Sequence, residues 1–239
     1  MNEGVVPVTA LPEKIAPGIY RVDTVPFKYK VSVYLIAERD GWTLVDTALE
    51  SSVTRIKEAL LALGGDAETL KRIYLTHHHS DHIGGLVTLA AWAPLAEIIA
   101  PEGEAAIISG EKPPDRSENP IMRAMTTRQQ LPTHPVARTV REGDTVAGFR
   151  VIATPGHTLN HTSLFHEGHR LLLTADAFGQ LFTKVQVGVT KPFCSDFALA
   201  EQSAAKLLDL DFATASPSHG PVLRDNPKAS LRAAIEEKG

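Results

Sequence analysis

The stretch Thr76-His77-His78-His79-Ser80-Asp81-His82 decides the fold and the chemistry that this chain suggests. It follows directly on a short apolar run at residues 72–75, which predicts a β-strand. In extended backbone alternate side chains share a face, so His77 and His79 are expected to point together while His78 points away. The turn into a helix predicted over residues 83–91 brings Asp81 and His82 to a neighbouring point. Because imidazole nitrogens and carboxylate oxygens are zinc ligands, the stretch predicts two adjacent metal positions.

Three later segments place further ligand-type residues where a predicted strand meets a loop. They are Thr154-Pro155-Gly156-His157, Thr174-Ala175-Asp176 and Ser216-Pro217-Ser218-His219-Gly220. An earlier strand end, Val45-Asp46-Thr47, adds one more carboxylate. Binding and catalytic residues are commonly presented by loops on a rigid scaffold, so we expect these ends to meet near the histidine stretch.

The rest of the chain alternates between strand and helix signals. Strands are predicted at residues 18–25, 30–37, 42–45, 97–100, 137–140, 148–153 and 212–215, and at 162–173 with a hairpin turn at Glu167-Gly168. Helices are predicted over residues 53–63, 83–91, 197–208 and 227–236. Strand, helix, strand order predicts parallel crossovers, and the β-rich pattern occurs twice, which suits two similar layered halves.

Residues 110–135 break this alternation. Five prolines punctuate a polar stretch in which the pattern indicates one helix, near residues 121–129. We interpret the segment as an insertion or flap that covers the site or contributes to a homodimer contact.

Bulk composition bounds the possible partners. With 239 residues and 43% hydrophobic content, residues 1–239 are expected to form a single domain. A net charge of -4 gives no reason to expect binding to nucleic acid or to a membrane, so a small-molecule substrate is favoured. Cys194 is the single cysteine, and the first residues do not resemble a secretory signal, which together predict a cytoplasmic protein.

The ligand-type residues stand in a recognisable order: H-x-H-x-D-H, then a Gly-His pair after a strand, then a lone aspartate, then Ser-His-Gly. This order resembles the metallo-β-lactamase superfamily over nearly the whole chain. The resemblance implies an α/β fold, a four-layer αβ/βα sandwich in which two mixed β-sheets are flanked by helices. It also implies a metal site at one edge of the two sheets.

Carried over motif by motif, the resemblance implies two metal positions that share one bridging carboxylate. The first position would be held by His77, His79 and His157, the second by Asp81, His82 and His219, with Asp176 as the bridge. The implied cofactor is two Zn²⁺, with Fe or Mn as alternatives. The implied reaction is attack of a metal-bridging hydroxide on the carbonyl of a thioester, lactone or ester, in which Asp81 acts as a catalytic residue that orients or deprotonates the water.

We also predict roles for four residues near the proposed ligands. Asp46 is expected to accept a ring N–H from a ligand histidine, the alternative being a cap on the turn after its strand. His161 resembles the second histidine of the family's extended motif and is expected to form a hydrogen-bonding wall of the pocket. His78 is expected to face solvent or to pack, and Cys194 to be a small buried residue.

Several apolar side chains fall in loops expected near the metals and together suggest an apolar pocket. They are Phe27, Tyr29, Met122, Met125, Phe178, Phe182 and Phe193.

Three alternatives stay open at this point. One is a persulfide-dioxygenase-like oxidoreductase with a single iron held by two histidines and an aspartate. Another is β-lactam hydrolysis, as main or side activity. A metal-storage or electron-transfer role is the third. Twenty residues follow His219 in this sequence, so the helical C-terminal region of glyoxalase II is not expected.

Overall fold

The computed structural model describes residues 11–25, 31–126, 130–181 and 183–237. Its strands are β1 (Glu13–Ala16), β2 (Ile19–Asp23), β3 (Ser32–Glu38), β4 (Gly41–Val45), β5 (Leu70–Tyr74), β6 (Glu97–Pro101), β7 (Arg138–Val140), β8 (Thr145–Val146), β9 (Phe149–Ala153), β10 (Thr162–His166), β11 (Leu171–Ala175), β12 (Phe178–Gly179), β13 (Gln186–Val187) and β14 (Thr214–Pro217). Its helices are α1 (Val53–Ala62), α2 (Ser80–Ile83), α3 (Leu86–Trp92), α4 (Glu102–Ile108), α5 (Pro120–Thr126), α6 (Phe197–Leu207) and α7 (Pro227–Glu236).

The strands form two mixed sheets and one small ribbon. The first sheet has the order β1-β2-β3-β4-β5-β6-β7, antiparallel up to β4 and parallel from β4 to β7. The second has the order β14-β11-β10-β9-β8, in which only β11 and β14 are parallel. The ribbon pairs β12 with β13.

Strand β3 shows why the sheets become inner layers. Val33 and Leu35 pack into a core beneath α1, α3 and α4, whereas Tyr34 and Ile36 pack into a second core shared with the other sheet. A third core lies between the second sheet and helices α6 and α7. Since successive strand residues point to opposite faces, a strand apolar at every position is buried on both. The predicted fold class, two mixed sheets between layers of helices, is therefore confirmed.

Helix α1 follows the predicted apolar spacing. Ile56 and Leu60 are each 1% exposed and face the first core. Truncating either to alanine at such a site typically costs about 2–5 kcal/mol of stability.

Helix α7 begins and ends at the predicted residues.

The helix predicted over residues 83–91 is confirmed as α3 from residue 86 onward, but its start is wrong, because Ile83 ends α2 and Gly84 and Gly85 separate the two helices. A β-carbon on either glycine would lie within 2.8 Å of the backbone oxygen of Ala48 or Thr47. The break therefore serves a close approach between this turn and the loop after β4. Helix α4, which follows Pro101 and contains Gly103, was not predicted. The helix indicated near residues 121–129 begins one residue earlier, and residues 127–129 lie outside the described ranges.

The ends of parallel strands bring the ligand-bearing segments together. Val45 pairs with Tyr74 at the ends of β4 and β5, so Asp46 lies beside Thr76. In the second sheet Ala175 pairs with Pro217, so Asp176 lies beside the segment that leads to His219. Within the described ranges, no helix combines the length and apolar character that crossing a bilayer requires.

Candidate metal centre

Three histidines from two separate loops form the first ligand group. His77 and His79 follow β5, and His157 follows β9. Nδ1 of His79 lies 2.9 Å from Nε2 of His157. The ring centroid of His77 lies 4.8 Å from that of His79 and 5.0 Å from that of His157. One ligand atom from each of the three falls within 4.8 Å of the others. The structure thus brings together the three side chains predicted to hold one ion.

A carboxylate and two histidines form the second group. The one-turn helix α2 presents Asp81 and His82, while His219 follows β14. Nε2 of His219 lies 3.2 Å from Oδ2 of Asp81, and ligand atoms of all three residues fall within 4.8 Å.

Asp176 stands between the two groups. Its Oδ2 lies 3.2 Å from Nε2 of His157, 3.3 Å from Nε2 of His82 and 3.4 Å from Nε2 of His219. The side chain is nearly fully buried. One carboxylate oxygen therefore faces ring nitrogens of both groups, which is the position of a bridging ligand.

Outer hydrogen bonds fix which ring nitrogen faces the centre. Nδ1 of His82 donates to Oδ2 of Asp46 at 2.8 Å, and Nδ1 of His157 donates to the carbonyl of Gly188 at 3.1 Å. Nδ1 of His77 lies 3.0 Å from the hydroxyl of Thr76. Because a carboxylate or a carbonyl only accepts, the ring hydrogen sits on Nδ1, and Nε2 is left with a lone pair toward the centre when the ring is neutral.

The inward-facing atoms fit metal ions. Nε2 of His77, Nε2 of His82 and Oδ1 of Asp176 are buried and make no hydrogen bond to any described residue. Buried polar atoms almost always have a partner, and when they lack one an ion is a common reason. Neutral imidazole and carboxylate oxygen are also the donors that zinc takes. The chemistry of the donors and their missing partners both indicate a metal site.

Electrostatics divide the histidines into two kinds. Burial lowers the pKa of His77 well below its ordinary value, and the neighbouring His82 and His79 lower it further. Burial also lowers the pKa of His219, but the Asp176 and Asp81 carboxylates outweigh it and raise that pKa to about 10. The pKa of His82 is raised in the same way, by Asp176 and Asp46 against burial. The second group thus holds protons that an incoming metal has to displace.

Asp46 lies behind the second group, as predicted for a partner of a ligand histidine. Besides His82, it accepts the backbone N–H of Thr76 at 2.8 Å through Oδ1 and the Thr76 hydroxyl at 2.8 Å through Oδ2. Its φ of 61° is a left-handed conformation that aspartate tolerates better than most residues. Its carboxylate ties the ends of β4 and β5 to one ligand.

His219 is held from the first sheet. The backbone N–H of Ser32 donates to the carbonyl of Ser218 at 2.9 Å, and buried Arg21 donates through Nη2 to the carbonyl of Gly220. Arg21 also donates to the hydroxyl of Ser32 at 2.7 Å. The carbonyls of Ser218 and Gly220 flank His219, so these hydrogen bonds between the two sheets position that ligand. No local sequence pattern indicated that role for Arg21.

His161 does not form a wall of the main pocket, so that expectation is wrong. The ring is fully buried behind Asp176, whose backbone N–H donates to Nε2 of His161 at 3.0 Å. Nδ1 donates in turn to the hydroxyl of Thr154 at 2.8 Å. Burial, with the nearby His157, lowers the pKa of His161 to about 3, so the ring stays neutral and keeps this acceptor. Its contacts position the bridging carboxylate.

His78 is buried, so of the two expectations for it packing is confirmed and exposure to solvent is wrong. Its Nδ1 donates to Oε2 of Glu104 at 2.6 Å, and Nε2 is buried without a hydrogen-bond partner among the described residues. Glu104 is fully buried on α4 and was missed by the sequence reasoning. Its signal is faint: a glutamate beside Ala105 and four residues before Ile108, on the inner face of a helix that was not predicted.

Cys194 is buried, as expected. Burial, together with the nearby carboxylates, raises the pKa of its thiol to about 12, which keeps the sulfur protonated and unreactive at neutral pH. Its Sγ would lie 2.2 Å from a β-carbon on Gly188, whose carbonyl holds His157. Cys194 therefore packs against the backbone that orients a ligand.

A cavity of about 460 Å³ opens onto the ligands. His79, Asp81, His157, Asp176 and His219 form its polar floor. Its walls are mainly apolar and include Val25, Val31, Leu49, Pro113, Pro114, Met122, Leu131, Leu181, Val189 and Phe193. Met122 and Phe193 thus line the pocket as predicted, and Phe178 is buried in the third core instead. Phe27, Tyr29 and Phe182, together with the side chain of Met125, lie outside what the structure describes.

Comparison with known proteins gives a consistent family signal. The sequence model of the Metallo-beta-lactamase superfamily matches residues 28–219. The uncharacterized protein YobT of Bacillus subtilis is 30% identical, over 92% of this chain and 95% of its own length. A hydroxyacylglutathione hydrolase of Rhodopseudomonas palustris is 31% identical over 62% of this chain, and the match spans 47% of that relative.

Solved structures show the same fold. A metallo-beta-lactamase from Pontibacter korlensis superimposes with a TM-score of 0.70 at 14% identity, covering 95% of this chain and 99% of its own. A metallo-beta-lactamase family protein from Thermus thermophilus gives a TM-score of 0.67 at 24% identity, covering 94% of this chain and 79% of its own.

Proposed function

The chain belongs to the metallo-beta-lactamase superfamily and is a metal-dependent hydrolase, and we propose that it uses two zinc ions to cleave a thioester, lactone or ester. The position of Asp176 carries this proposal. One oxygen of its buried carboxylate lies within 3.4 Å of ring nitrogens from both ligand groups. A site for a single ion does not require a carboxylate between two separate sets of donors.

The residues assigned to each ion follow from the two groups. His77, His79 and His157 would hold the first ion, Asp81, His82 and His219 the second, and Asp176 would contact both. When bound, such a pair of ions supplies a nucleophilic hydroxide at neutral pH and polarises a carbonyl oxygen. The protein keeps the donors in place through Asp46, the Gly188 carbonyl and His161, so little reorganisation accompanies the reaction.

Asp81 has a second role in this proposal. Its side chain is partly exposed and lines the cavity, and Oδ2 faces Nε2 of His219. Burial raises its pKa, but the hydrogen bond from His219 and the charge of His82 lower the pKa more, so the carboxylate is ionised at neutral pH. An ionised carboxylate at this edge would orient the attacking hydroxide and relay its proton to the leaving group.

The cavity supports a small-molecule substrate with an apolar acyl part. Apolar walls beside a polar floor favour a molecule whose carbonyl reaches the ligands while its chain packs against residues such as Met122 and Leu131. Similarity to a hydroxyacylglutathione hydrolase favours a carboxylic acid derivative over a phosphate ester. We propose a cytoplasmic location from the single cysteine, and no nucleic-acid or membrane partner from the net charge of -4.

Metal analysis coupled to turnover tests the proposal. The purified protein, its Asp176→Ala variant and a His134→Ala control would be analysed for metal by mass spectrometry. Each would then be assayed on a thioester, a lactone, an ester, a β-lactam and glutathione persulfide. His134 is half-buried and lies outside both ligand groups, and among the described residues its ring hydrogen-bonds the carbonyl of Pro135.

Two equivalents of zinc with turnover of the thioester, lactone or ester, lost in Asp176→Ala and kept in His134→Ala, is the expected result. One equivalent of iron with oxygen consumption on the persulfide would replace the proposed reaction by an oxidation. Zinc-dependent turnover of the β-lactam alone would keep the hydrolytic mechanism and overturn the substrate class.

A further inference from the structure

Glu104 is a buried carboxylate that the reaction described above does not use. It lies in the first turn of α4 with 0% exposure. Its Oε2 accepts Nδ1–H of His78 at 2.6 Å, and its Oε1 accepts the hydroxyl of Thr158 at 2.5 Å. Burying a carboxylate is costly unless its oxygens are hydrogen-bonded, so both contacts are needed to keep it there.

The two partners of Glu104 are neighbours of the first ligand group. His78 stands between His77 and His79, and Thr158 directly follows His157. Glu104 therefore links the two chain segments that supply all three ligands of that group. These segments are separated by 78 residues at the contact between His79 and His157, and the helix of Glu104 belongs to neither of them.

A third metal position does not explain these contacts. Ligand atoms of His78, Glu104 and Asp115 lie within 4.8 Å of one another. Both Glu104 oxygens, however, already accept hydrogen bonds, and Oδ2 of Asp115 accepts the backbone N–H of Leu159 at 2.7 Å. Since the hydrogen bonds from His78, Thr158 and Leu159 already satisfy these oxygens, a hydrogen-bonded clamp accounts for the group without an ion.

We propose that Glu104 is a positioning residue for the first metal position: by holding His78 and Thr158, it makes His77, His79 and His157 converge. This inference rests on the proposed function only in taking those three histidines as metal ligands. It predicts that loss of the clamp weakens the first position and spares the second, whose ligand His82 is held by Asp46.

Cobalt binding to the metal-free protein tests the clamp without any assay of turnover. Cobalt affinity of each position would be measured by competition with a chelator, and the visible absorption of each site would be recorded. The His157→Ala and His219→Ala variants would identify which affinity and which bands belong to the first and second positions. Glu104→Gln keeps the size of the side chain but turns an N–H toward one of the two donors.

The expected result is a loss of roughly 10- to 100-fold in affinity at the first position of Glu104→Gln, with changed absorption there and an unchanged second position. Glu102→Gln is the matched control on the same helix. Its carboxylate is exposed and pairs with Arg141, and it should bind cobalt like the parent protein. Parent-like affinity and absorption at both positions of Glu104→Gln would overturn the proposal.

Thr158 keeps the proposal falsifiable if Glu104→Gln fails to fold. Thr158→Val removes one hydroxyl arm at nearly constant volume, and Thr158→Ser keeps the hydroxyl. Weakened cobalt binding at the first position in the valine variant, restored in the serine variant, supports the clamp. Equal cobalt affinity of the first position in Thr158→Val and Thr158→Ser contradicts the clamp. If the protein binds two metal ions but hydrolyses none of the substrates, the proposed function fails while these affinities still decide the role of Glu104.

Discussion

The metal ligands and the pocket wall formed by residues 113–131 border the same cavity, yet they are built in opposite ways. His77, His82 and Asp176 are at most 2% exposed, and the outer atoms of both rings are held by Thr76 or Asp46. The wall contributes Pro113, Pro114 and Arg116, all exposed, and its described residues, 113–126 and 130–131, contain no β-strand. Strand ends and buried hydrogen bonds fix the ligands, whereas the wall is a surface segment around α5, tied to the rest of the chain by contacts such as the one from the Ser117 hydroxyl to the Pro192 carbonyl at 2.7 Å.

This difference separates reaction chemistry from substrate choice. Loops vary more easily than the scaffold beneath them, so substrate preference can change here while the ligand set stays intact. Substitutions in the two regions should therefore produce different signatures. Changes at the ligands should alter metal content and kcat, and changes at the wall should alter KM alone.

The largest effect is expected from removing the bridging carboxylate or a ligand histidine. Asp176→Ala or His157→Ala should abolish hydrolysis and lower the metal content, well beyond the roughly 100-fold loss that removal of an outer partner causes. Zinc stoichiometry and kcat/KM measure this. Asp211→Ala, which changes an exposed partner of Arg170, should retain both. A variant of Asp176 with full metal content and activity would contradict the bridging assignment.

A large pH dependence should accompany metal binding at the second position. The metal-free protein holds protons on His219, whose pKa is raised to about 10, and on His82, whose pKa is also raised. An incoming ion displaces them, so apparent affinity should rise as pH increases from 7 toward 10, by about tenfold per pH unit for each proton released. Calorimetry in buffers of different ionisation enthalpy measures that release. Metal uptake without proton release would contradict these raised values.

Asp46→Asn should give an intermediate effect confined to the second position. Asparagine tolerates the left-handed φ of 61°, so backbone strain stays similar, but its NH₂ group has to face either the backbone N–H of Thr76 or the ring N–H of His82. Zinc affinity of that position should fall roughly 10- to 100-fold. Chelator competition checks this, and an unchanged affinity would leave Asp46 with only a turn-capping role.

The smallest effect is expected at the wall. Met122→Ala should raise KM for a long-chain substrate by up to roughly tenfold, the size of one apolar contact, and leave kcat and zinc content unchanged. Ile121→Ala is the matched control, since Ile121 is 70% exposed and does not line the cavity. A fall in zinc content of Met122→Ala would erase the distinction between the two regions.

Short-range patterns predicted much of the fold. Runs rich in β-branched and aromatic residues between turn residues indicated β3 and β4, and spacing of three and four residues indicated α1. Patterns failed where a distant backbone decided the outcome. Gly84 and Gly85 split one predicted helix because the loop after β4 packs against them, and α4 was missed because Pro101 and Gly103 obscure its signal. The single-domain interpretation of residues 1–239 and the roles of the site residues stay predictions.

By itself, the sequence determined the donor atoms and their order along the chain. Histidine and aspartate carry their ligand chemistry wherever they stand, and a strand followed by a turn places them at a sheet edge by local geometry. Only the tertiary structure decided what holds those donors: Glu104 against His78, the Gly188 carbonyl against His157, and His161 behind Asp176. These contacts join residues 26, 31 and 15 positions apart, and they depend on sheet register and on the packing of two layers. Spacing along a chain does not encode such contacts. Residues at the same intervals are in contact or far apart depending on the strand register and on how the two layers pack.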